Sequence, residues 1–332
     1  MPTIFITGST GFIGSTTALT ALTSGYNLRI CLRKESQIPT LQSLFAKHIA
    51  QVEFVIVADL TDQHALRGKL DGVDYVLHMA SPLPHGVNKE TYFGPAVEGT
   101  MAVLREAARV ESVKKVVVTS SIAALVPVMG VPEGGVIKED NDWDFTVDPN
   151  ADFTVPDNPT ATGGRLYHAS KLLANNETWK FWATSKPNYA LVTLHPAYVF
   201  GPNLIQTTAE GINGSTNGLL FGAIMKGVPS NGITGVHVQD IADAHVKALD
   251  AKIPDGSKYL LTGEQASWKD VARIVKSKYP DAGAMITEDL QGESWATDTS
   301  RAERELGMRW RSWEEMIGDV MDQQLGFRVN KM

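Results

Sequence analysis

Short apolar runs alternate with longer stretches of mixed polarity over the first two thirds of the chain. Apolar runs bounded by turn residues are typical of buried strands, and the stretches between them are long enough for helices. We predict strands over residues 4–6, 27–33, 52–57, 75–78, 115–118 and 191–194, a short strand near Val236, and helices over 15–22 and 165–184. This alternation predicts an α/β fold with a doubly wound, parallel Rossmann-type sheet, whose ligands bind at the carboxyl ends of the strands.

The pattern changes after residue 200, where glycines and irregular stretches become frequent. We predict a Rossmann cofactor-binding domain over residues 1–200, joined by a strand that returns near residues 233–257. Residues 201–332 are predicted to form mainly a smaller substrate-binding lobe.

Three glycines, Gly8, Gly11 and Gly14, follow the first predicted strand and precede the first predicted helix. A tight turn there brings backbone N–H groups and the helix dipole to one point, which suits a pyrophosphate. The spacing is GxxGxxG rather than the commoner GxGxxG, and an ordinary glycine-rich loop is the alternative. The predicted cofactor contacts in this segment are Thr7, Gly8, Thr10, Gly11, Phe12, Ile13 and Gly14.

Charged residues at the end of the second strand bear on the choice of cofactor. Arg33 and Lys34 stand where an NAD site usually carries an acidic residue for the ribose 2′-hydroxyl, so they favour a 2′-phosphate and NADPH. Glu35 lies close enough to leave NADH as an alternative cofactor. A solvated charged turn with no cofactor contact is the other interpretation of these residues. Asp59, after the third strand, could accept a hydrogen bond from the adenine amine. The other cofactor contacts predicted near the strand ends are Leu60, Ala80, Ser81, Pro82 and Thr119.

Tyr167 and Lys171 lie four residues apart in a predicted helix, so they share one helical face. A free tyrosine has a pKa near 10, and a nearby ammonium lowers that pKa. The phenol could then protonate a carbonyl oxygen as hydride arrives at the carbon, while Ser121 hydrogen-bonds and orients that oxygen. Without the glycine turn and the serine, an inconsequential surface pair would be the better interpretation of Tyr167 and Lys171.

The substituents of a carbonyl held there must point out of the crevice toward a largely apolar wall. Such a wall selects by shape and apolar contact, so we expect a broad range of aldehydes and ketones with hydrophobic substituents. The residues predicted to contact the substrate are Leu83, Ile122, Tyr198, Phe200, Leu219 and Phe221.

Several motifs, taken in order, resemble those of one family: TGSTGFIG at 7–14, HMASP at 78–82, PAVEGT at 95–100, TSS at 119–121, YHASK at 167–171, HPAYVFGP at 195–202, HVQDIADAHV at 237–246 and DTSRAERELG at 298–307. The chain resembles, over nearly its whole length, an extended short-chain dehydrogenase/reductase. It is similar to the dihydroflavonol-reductase and cinnamoyl-CoA-reductase branch, and most of all to fungal methylglyoxal-reductase-like NADPH ketoreductases.

This resemblance implies a catalytic triad of Ser121, Tyr167 and Lys171. It also implies that Lys171 bridges the hydroxyls of the nicotinamide ribose. The residues that it places along the nicotinamide are Pro196, Ala197 and Val199, within the segment from Pro196 to Val199. The chain departs from many members at Glu98, where they carry asparagine, and the role of this position is left open.

Composition narrows the class of protein. Of the 332 residues, 43% are hydrophobic and the net charge is −7, so a packed core is expected and a basic field for nucleic acid is not. The single cysteine, Cys31, cannot form a disulfide within the chain, which suits a reducing compartment. With no signal peptide, membrane span or metal-ligand motif apparent, we expect a cytoplasmic monomer or homodimer without a metal.

These observations together predict an enzyme, an NADPH-dependent carbonyl reductase that converts an aldehyde or ketone to an alcohol. Two alternatives remain on the same fold. One is a sugar-nucleotide epimerase or dehydratase, which would need polar and basic contacts for a second diphosphate. The other is a redox sensor that binds NADP without turning it over.

Overall fold

A computed structural model describes residues 1–229 and 232–329, so residues 230, 231 and the last three of the predicted substrate lobe lie outside it. The strands are β1 Thr3–Thr7, β2 Asn27–Leu32, β3 Val52–Ile56, β4 Tyr75–His78, β5 Lys115–Thr119, β6 Ala190–Pro196, β7 Tyr198–Phe200, β8 Gly235–His237 and β9 Ser257–Leu261. The helices are α1 Phe12–Thr23, α2 Ile38–Leu44, α3 Gln63–Leu66, α4 Phe93–Ala107, α5 Pro159–Ser185, α6 Asn217–Lys226, α7 Val238–Lys247, α8 Trp268–Lys278, α9 Ser300–Glu305 and α10 Trp313–Val329.

Seven strands form one parallel sheet in the order β3-β2-β1-β4-β5-β6-β9. The strand order reverses direction between β1 and β4, and ligands of doubly wound sheets bind outside the carboxyl ends of the strands at this switch point. The predicted Rossmann-type fold is confirmed. Thr7 pairs with His78 across the switch point, so the segments that follow β1 and β4 begin side by side.

Both faces of the sheet are buried, which explains why its strands are apolar runs rather than alternating patterns. Ile4 and Ile6 of β1 pack into one apolar cluster with α1 and α7, whereas Phe5 packs into a second cluster with α4. Successive side chains of a strand point to opposite faces, so β1 supplies both clusters. Cys31 lies in the second cluster, where burial raises the pKa of its thiol to about 12.

The strand predicted near Val236 does not join the main sheet, which corrects the sequence prediction. Gly235–His237 pairs with β7 in a separate two-stranded sheet, while Ser257–Leu261 pairs with β6 and becomes the seventh strand. Helix α7 lies between these two strands in sequence and packs against α1. The chain therefore returns to the sheet through a helix and a later strand than predicted.

A third apolar cluster joins α6, α8 and α10 in the C-terminal part of the chain. Its centre includes Leu220 and Ile224 of α6 and Met316 of α10, all fully buried. Within the described ranges, no helix combines the length and the apolar character needed to cross a membrane.

Candidate active site

The glycine turn after β1 brings the backbone of three segments into close approach. Gly8 has a φ of +84°, and a Cβ added there would lie 2.9 Å from the Ala80 backbone nitrogen. A Cβ on Gly14 would lie 2.0 Å from the Gly8 carbonyl oxygen, so only glycine fits at that position. Helix α1 then begins with no side-chain cap at Gly11, which leaves its first N–H groups free to bind an anion. This cradle fits the pyrophosphate of a dinucleotide.

A cleft of about 570 Å³ runs along the carboxyl ends of the strands and over this turn. It has the size and concave shape of a small-molecule or cofactor site. The predicted catalytic and cofactor residues that line it are Gly8, Thr10, Gly11, Phe12, Ile13, Gly14, Arg33, Leu60, Ala80, Ser81, Thr119, Ser121, Tyr167, Lys171, Pro196, Ala197 and Val199.

Thr7 was predicted to contact the cofactor, but its side chain is fully buried between β1 and β4. Its hydroxyl oxygen accepts hydrogen bonds from the backbone N–H groups of Met79 and Ala80, both at 3.1 Å. With those bonds made, the hydroxyl donates to His78 Nδ1 at 2.9 Å. Thr7 therefore fixes the register of the two switch-point strands and does not face the cleft.

Three further predicted cofactor residues, Lys34, Asp59 and Pro82, lie outside the lining of the cleft. The Asp59 carboxylate accepts hydrogen bonds from the backbone N–H and the hydroxyl of Thr61, both at 2.8 Å, and these bonds lower its pKa. Its Oδ1 therefore caps a local turn. Lys34 is exposed at the start of a 3₁₀ turn, and Pro82 is half-buried.

Arg33 lines the cleft at the end of β2. Beside it lies Gln37, which was not predicted from the sequence. Gln37 also lines the cleft, and its Oε1 accepts the backbone N–H groups of Arg33 at 3.1 Å and Lys34 at 3.2 Å. This pair of bonds orders the turn that carries the Arg33 guanidinium. The side chain can therefore reach an anion beside the end of β2.

Tyr167 and Lys171 meet on one face of α5 at the middle of the cleft, as their spacing predicts. Lys171 Nζ lies 5.5 Å from the centroid of the Tyr167 ring and donates a hydrogen bond to Ser81 Oγ at 2.8 Å. Ser121, at the end of β5, hydrogen-bonds the Tyr167 hydroxyl. The structure thus brings together the three predicted catalytic side chains.

Burial controls the ionisation of the pair. It raises the pKa of Tyr167 above its ordinary value of 10.0, although the Ser121 hydrogen bond acts in the opposite direction. Burial also lowers the pKa of Lys171 from 10.5 to about 8. Burial is therefore the largest influence on the Tyr167 pKa in this structure, and the Tyr198 phenol acts in the same direction. The phenol is protonated at neutral pH and can act as an acid.

His195 holds Ser121 in place from beneath the cleft. Its Nδ1 donates to the Ser121 carbonyl at 3.1 Å, so Nε2 must accept, and the Thr193 hydroxyl donates to it at 2.8 Å. Burial lowers the His195 pKa to about 3, which keeps the imidazole neutral. This histidine is a packed, hydrogen-bonded residue.

A small polar chamber of about 20 Å³ lies behind Lys171 and Ser81 and has room for one water molecule. Its lining includes Asn175, whose Oδ1 has no hydrogen-bond partner among the described residues. Glu98 does not line it. That carboxylate is exposed and lies 3.6 Å from Arg105, so its position gives it no place beside Lys171.

Two residues of the predicted substrate wall, Tyr198 and Phe200, lie outside the lining of the cleft, and the alternation of side chains along β7 explains their position. Ala197 and Val199 line the cleft, whereas Tyr198 and Phe200 point to the opposite face of β7 and stack at 6.5 Å. Phe200 is 4% exposed and packs against Trp313 in the third cluster.

Of the other predicted substrate contacts, Leu83 lines the cleft and three do not. Ile122 is buried in a small core cluster. Phe221 packs against the third cluster, and Leu219 is 46% exposed outside the cleft. Helix α6 uses its apolar positions for packing, so its apolar sequence is explained without a substrate.

A polar segment after β7 takes the place of that predicted wall. The residues of this segment that line the cleft are Asn203, Ile205, Gln206, Thr207, Gly211, Gly214, Ser215 and Thr216. The signal that could have found them is position, because they follow the end of β6 and β7 and carry uncharged polar side chains. Polar residues there are expected to face a ligand rather than the core.

Comparison with known proteins finds similar sequences. Residues 4–261 match the model of the NAD dependent epimerase/dehydratase family. The chain is 59% identical over 329 residues to Ketoreductase sphI of Aspergillus fumigatus, covering 98% of each chain. It is 31% identical to Cinnamoyl-CoA reductase CAD2 of Medicago truncatula, covering 83% of this chain and 81% of the relative.

The same fold occurs in solved structures. The crystal structure of Gre2 from Candida albicans in complex with NADPH superposes with a TM-score of 0.81 over 98% of this chain and 99% of that one. The two sequences are 23% identical, so the likeness is one of fold.

Proposed function

The chain belongs to the NAD-dependent epimerase/dehydratase family, and from that premise we propose that it is an NADPH-dependent carbonyl reductase. One observation carries the proposal: Ser121, Tyr167 and Lys171 open onto the same cleft as the glycine turn. A proton donor and a dinucleotide cradle in one cleft are what hydride transfer to a carbonyl needs. The 59% identity to a ketoreductase gives independent support.

The reaction adds a hydride to the carbonyl carbon and a proton to the carbonyl oxygen, which gives an alcohol. NADPH, when bound, supplies the hydride. Ser121 orients the carbonyl oxygen through a hydrogen bond, and Tyr167 gives that oxygen its proton because the phenol is protonated at neutral pH. Lys171 places positive charge near the tyrosinate that remains, with Nζ held by Ser81.

The glycine turn would hold the pyrophosphate, and Arg33 would pair with the 2′-phosphate that distinguishes NADPH from NADH. Guanidinium groups bind phosphate through charge-assisted hydrogen bonds. We further propose that residues 1–200, with β9, hold the cofactor and that the later polar segment mainly contacts the substrate.

The epimerase alternative is disfavoured by the charges in the cleft. A nucleotide sugar would bring a second diphosphate in addition to that of the cofactor. Among the described lining residues, Arg33 and Lys171 are the cations, and both already have roles in cofactor binding or proton transfer. The cleft therefore lacks a second basic site for a diphosphate.

The cellular compartment and the assembly state are also proposals. A single buried cysteine with a raised thiol pKa suits a reducing compartment such as the cytoplasm. We propose a cytoplasmic monomer or homodimer that acts on a small-molecule carbonyl compound. Light scattering on the purified protein would decide between the two assembly states.

The central experiment compares Tyr167→Phe with wild type on a panel of aldehydes, ketones and UDP-sugars, followed by NADPH absorbance. We expect wild-type turnover of carbonyl compounds and a loss of about a hundredfold or more in kcat for the variant, with NADPH affinity unchanged. Tyr26→Phe is the matched control, because Tyr26 directly precedes β2, at the amino ends of the strands and away from the cleft. Near-normal turnover by Tyr167→Phe, or wild-type turnover of UDP-sugars alone, would reject the proposal.

A further inference from the structure

The ammonium group of Lys171 is buried and carries its positive charge without a counter-ion. Lys171 is 6% exposed, and no carboxylate occurs among the described residues that line the cleft or the small polar chamber behind it. Within residues 1–229 and 232–329, the hydrogen bond that Nζ makes is the one to Ser81 Oγ, at 2.8 Å. A neutral hydroxyl is therefore the group that holds this charge in place.

The titratable groups that face Lys171 come from three elements and add no negative charge at neutral pH. His78 of β4 and His195 of β6 are buried, and burial lowers their pKa values to about 4 and about 3, which keeps both imidazoles neutral. Tyr167 of α5 has its ring centroid 5.5 Å from Nζ, and burial raises its pKa above 10.0. Ser81 therefore stabilises an ammonium that none of these three groups neutralises.

The backbone that carries Ser81 is held by the end of β1. The Thr7 hydroxyl oxygen accepts the N–H groups of Met79 and Ala80, both at 3.1 Å. Gly8 allows the Ala80 backbone to approach, because a Cβ at Gly8 would lie 2.9 Å from the Ala80 nitrogen. The two switch-point strands thus place the serine before any cofactor arrives, and such preorganisation reduces the entropic cost of binding.

The number of N–H donors on the ammonium shows what this contact leaves free. An ammonium has three donors and no acceptor, so Lys171 must donate to Ser81 and the hydroxyl oxygen must accept. Two N–H groups remain, which matches the two hydroxyls of a nicotinamide ribose that Lys171 would bridge. A hydroxyl, unlike a carboxylate, takes up one donor without cancelling the positive charge that would stabilise a tyrosinate at Tyr167.

We propose that Ser81 is the positioning residue of Lys171: it accepts one ammonium donor, keeps the lysine charged, and leaves two donors for the cofactor ribose. This inference rests on the proposed reductase function. Ser81 acts through Lys171 and does not take part in proton or hydride transfer. A hydrogen bond to the charged form of a group favours that form, so loss of the hydroxyl should lower the Lys171 pKa further below its present value of about 8.

Nuclear magnetic resonance can follow the ionisation of Lys171 without any turnover. In protein that is isotopically labelled at the lysine Cε carbons, the Lys171 signal is the one absent from Lys171→Met. We expect this signal to titrate near pH 8 in wild type. Ser81→Ala should move the midpoint down by about one pH unit, the worth of one hydrogen bond. Ser81→Thr keeps the hydroxyl and should restore the wild-type midpoint.

Ser120→Ala is the matched control for removing a hydroxyl. Ser120 also lines both the cleft and the chamber, but among the described residues it makes no hydrogen bond to Lys171, whose Nζ donates to Ser81. The Lys171 midpoint in this variant should be that of wild type.

The pH profile of turnover gives a second readout that a merely structural role would not move. The reduction rate should fall at alkaline pH where Lys171 loses its charge, because the tyrosinate is then no longer stabilised. In Ser81→Ala the fall in kcat/KM for the carbonyl compound should begin about one pH unit lower than in wild type, and Ser81→Thr should restore the wild-type profile.

The outcomes separate this inference from the proposed function. An unshifted midpoint in Ser81→Ala, or an equal shift in Ser120→Ala, would overturn the inference, because the Ser81 hydroxyl would then not be what holds the charge. A shifted midpoint with an unshifted alkaline fall in kcat/KM would also overturn it, since the contact would have no bearing on the reaction. If wild type turns over no carbonyl compound while the midpoint still shifts, the reductase function fails and the contact itself stands.

Discussion

Lys171 is a buried cation, and replacing it with methionine should stabilise the protein while abolishing turnover. A fall of its pKa from 10.5 to about 8, at 1.36 kcal/mol for each pH unit, corresponds to about 3 kcal/mol of destabilisation at neutral pH. The variant loses the hydrogen bond to Ser81, which is worth about 1 kcal/mol. The net expectation for Lys171→Met at pH 7 is a gain of about 2 kcal/mol in the free energy of unfolding.

The pH dependence of the stability difference tests whether the buried ammonium causes it. Between pH 8 and 10.5 the unfolded chain binds more protons at this lysine than the folded chain, so wild-type stability rises with pH there. Below pH 8 both states carry the charge and the difference between variant and wild type is constant. The advantage of Lys171→Met should therefore shrink above pH 8, by up to about 1.4 kcal/mol for each pH unit, and be lost near pH 10.

Urea unfolding at a series of pH values would measure these differences, with the exposed Lys269→Met as the control for removing a positive charge. The reasoning is refuted if Lys171→Met is less stable than wild type at pH 7, or if its advantage does not depend on pH. The buried lysine lowers the stability of the protein and is needed for turnover. Such a trade-off between stability and activity is common at active sites.

Three shorter predictions follow from the same geometry. Gly14→Ala should weaken NADPH binding by roughly tenfold or more in calorimetry, because its Cβ would displace the Gly8 carbonyl; an unchanged affinity would remove the pyrophosphate role of the turn. Arg33→Ala should raise the KM for NADPH by roughly tenfold or more and leave NADH kinetics unaltered, and equal effects on both cofactors would contradict the 2′-phosphate contact. Phe200→Ala should cost about 3–5 kcal/mol in urea unfolding and leave the substrate ranking unchanged, whereas Leu219→Ala should alter neither; a changed ranking in either variant would return that residue to the substrate wall.

The parts of the fold that sequence predicts well are those that local pattern determines. The strand predicted over 75–78 has those bounds in the structure, and the helix predicted over 165–184 extends to Pro159–Ser185. The strand is a short apolar run, whereas the start signal of the helix, Asn158 followed by Pro159, lies before the predicted start. The placement of Gly235–His237 was not predictable in this way, because which strand it pairs with depends on residues far away in sequence.

The same distinction between local pattern and distant contacts applies to the site residues. Ser121, Tyr167 and Lys171 could be found because their chemistry is specific and their spacing on α5 is local. Thr7 and Asp59 have suitable chemistry at suitable strand ends, yet the Thr7 hydroxyl is used by His78 and one carboxylate oxygen of Asp59 by Thr61. Only coordinates reveal such competition for a hydrogen bond.

The predicted substrate wall illustrates a different limit of sequence information. Phe200 is apolar because it belongs to a core, and an apolar residue near a site gives the same sequence signal whether it faces the ligand or the interior. Gln206 gives the opposite lesson. A polar side chain can be buried with one end unpaired, and that is visible only once the partners of each atom are known.

The path of the chain between the two sheets limits how this enzyme can be divided or recombined. A fragment that stops at residue 200 would keep the glycine turn and Tyr167, yet it would lack α7, which covers α1, and β9, which pairs with β6. That fragment would expose an apolar face and an open strand edge, and both promote aggregation. A chimera that borrows specificity from a relative should therefore exchange the loop of residues 201–216 alone and leave residues 235–261 in place. The protein is in this sense one folding unit, because the segment after β7 is inserted before β9 completes the sheet.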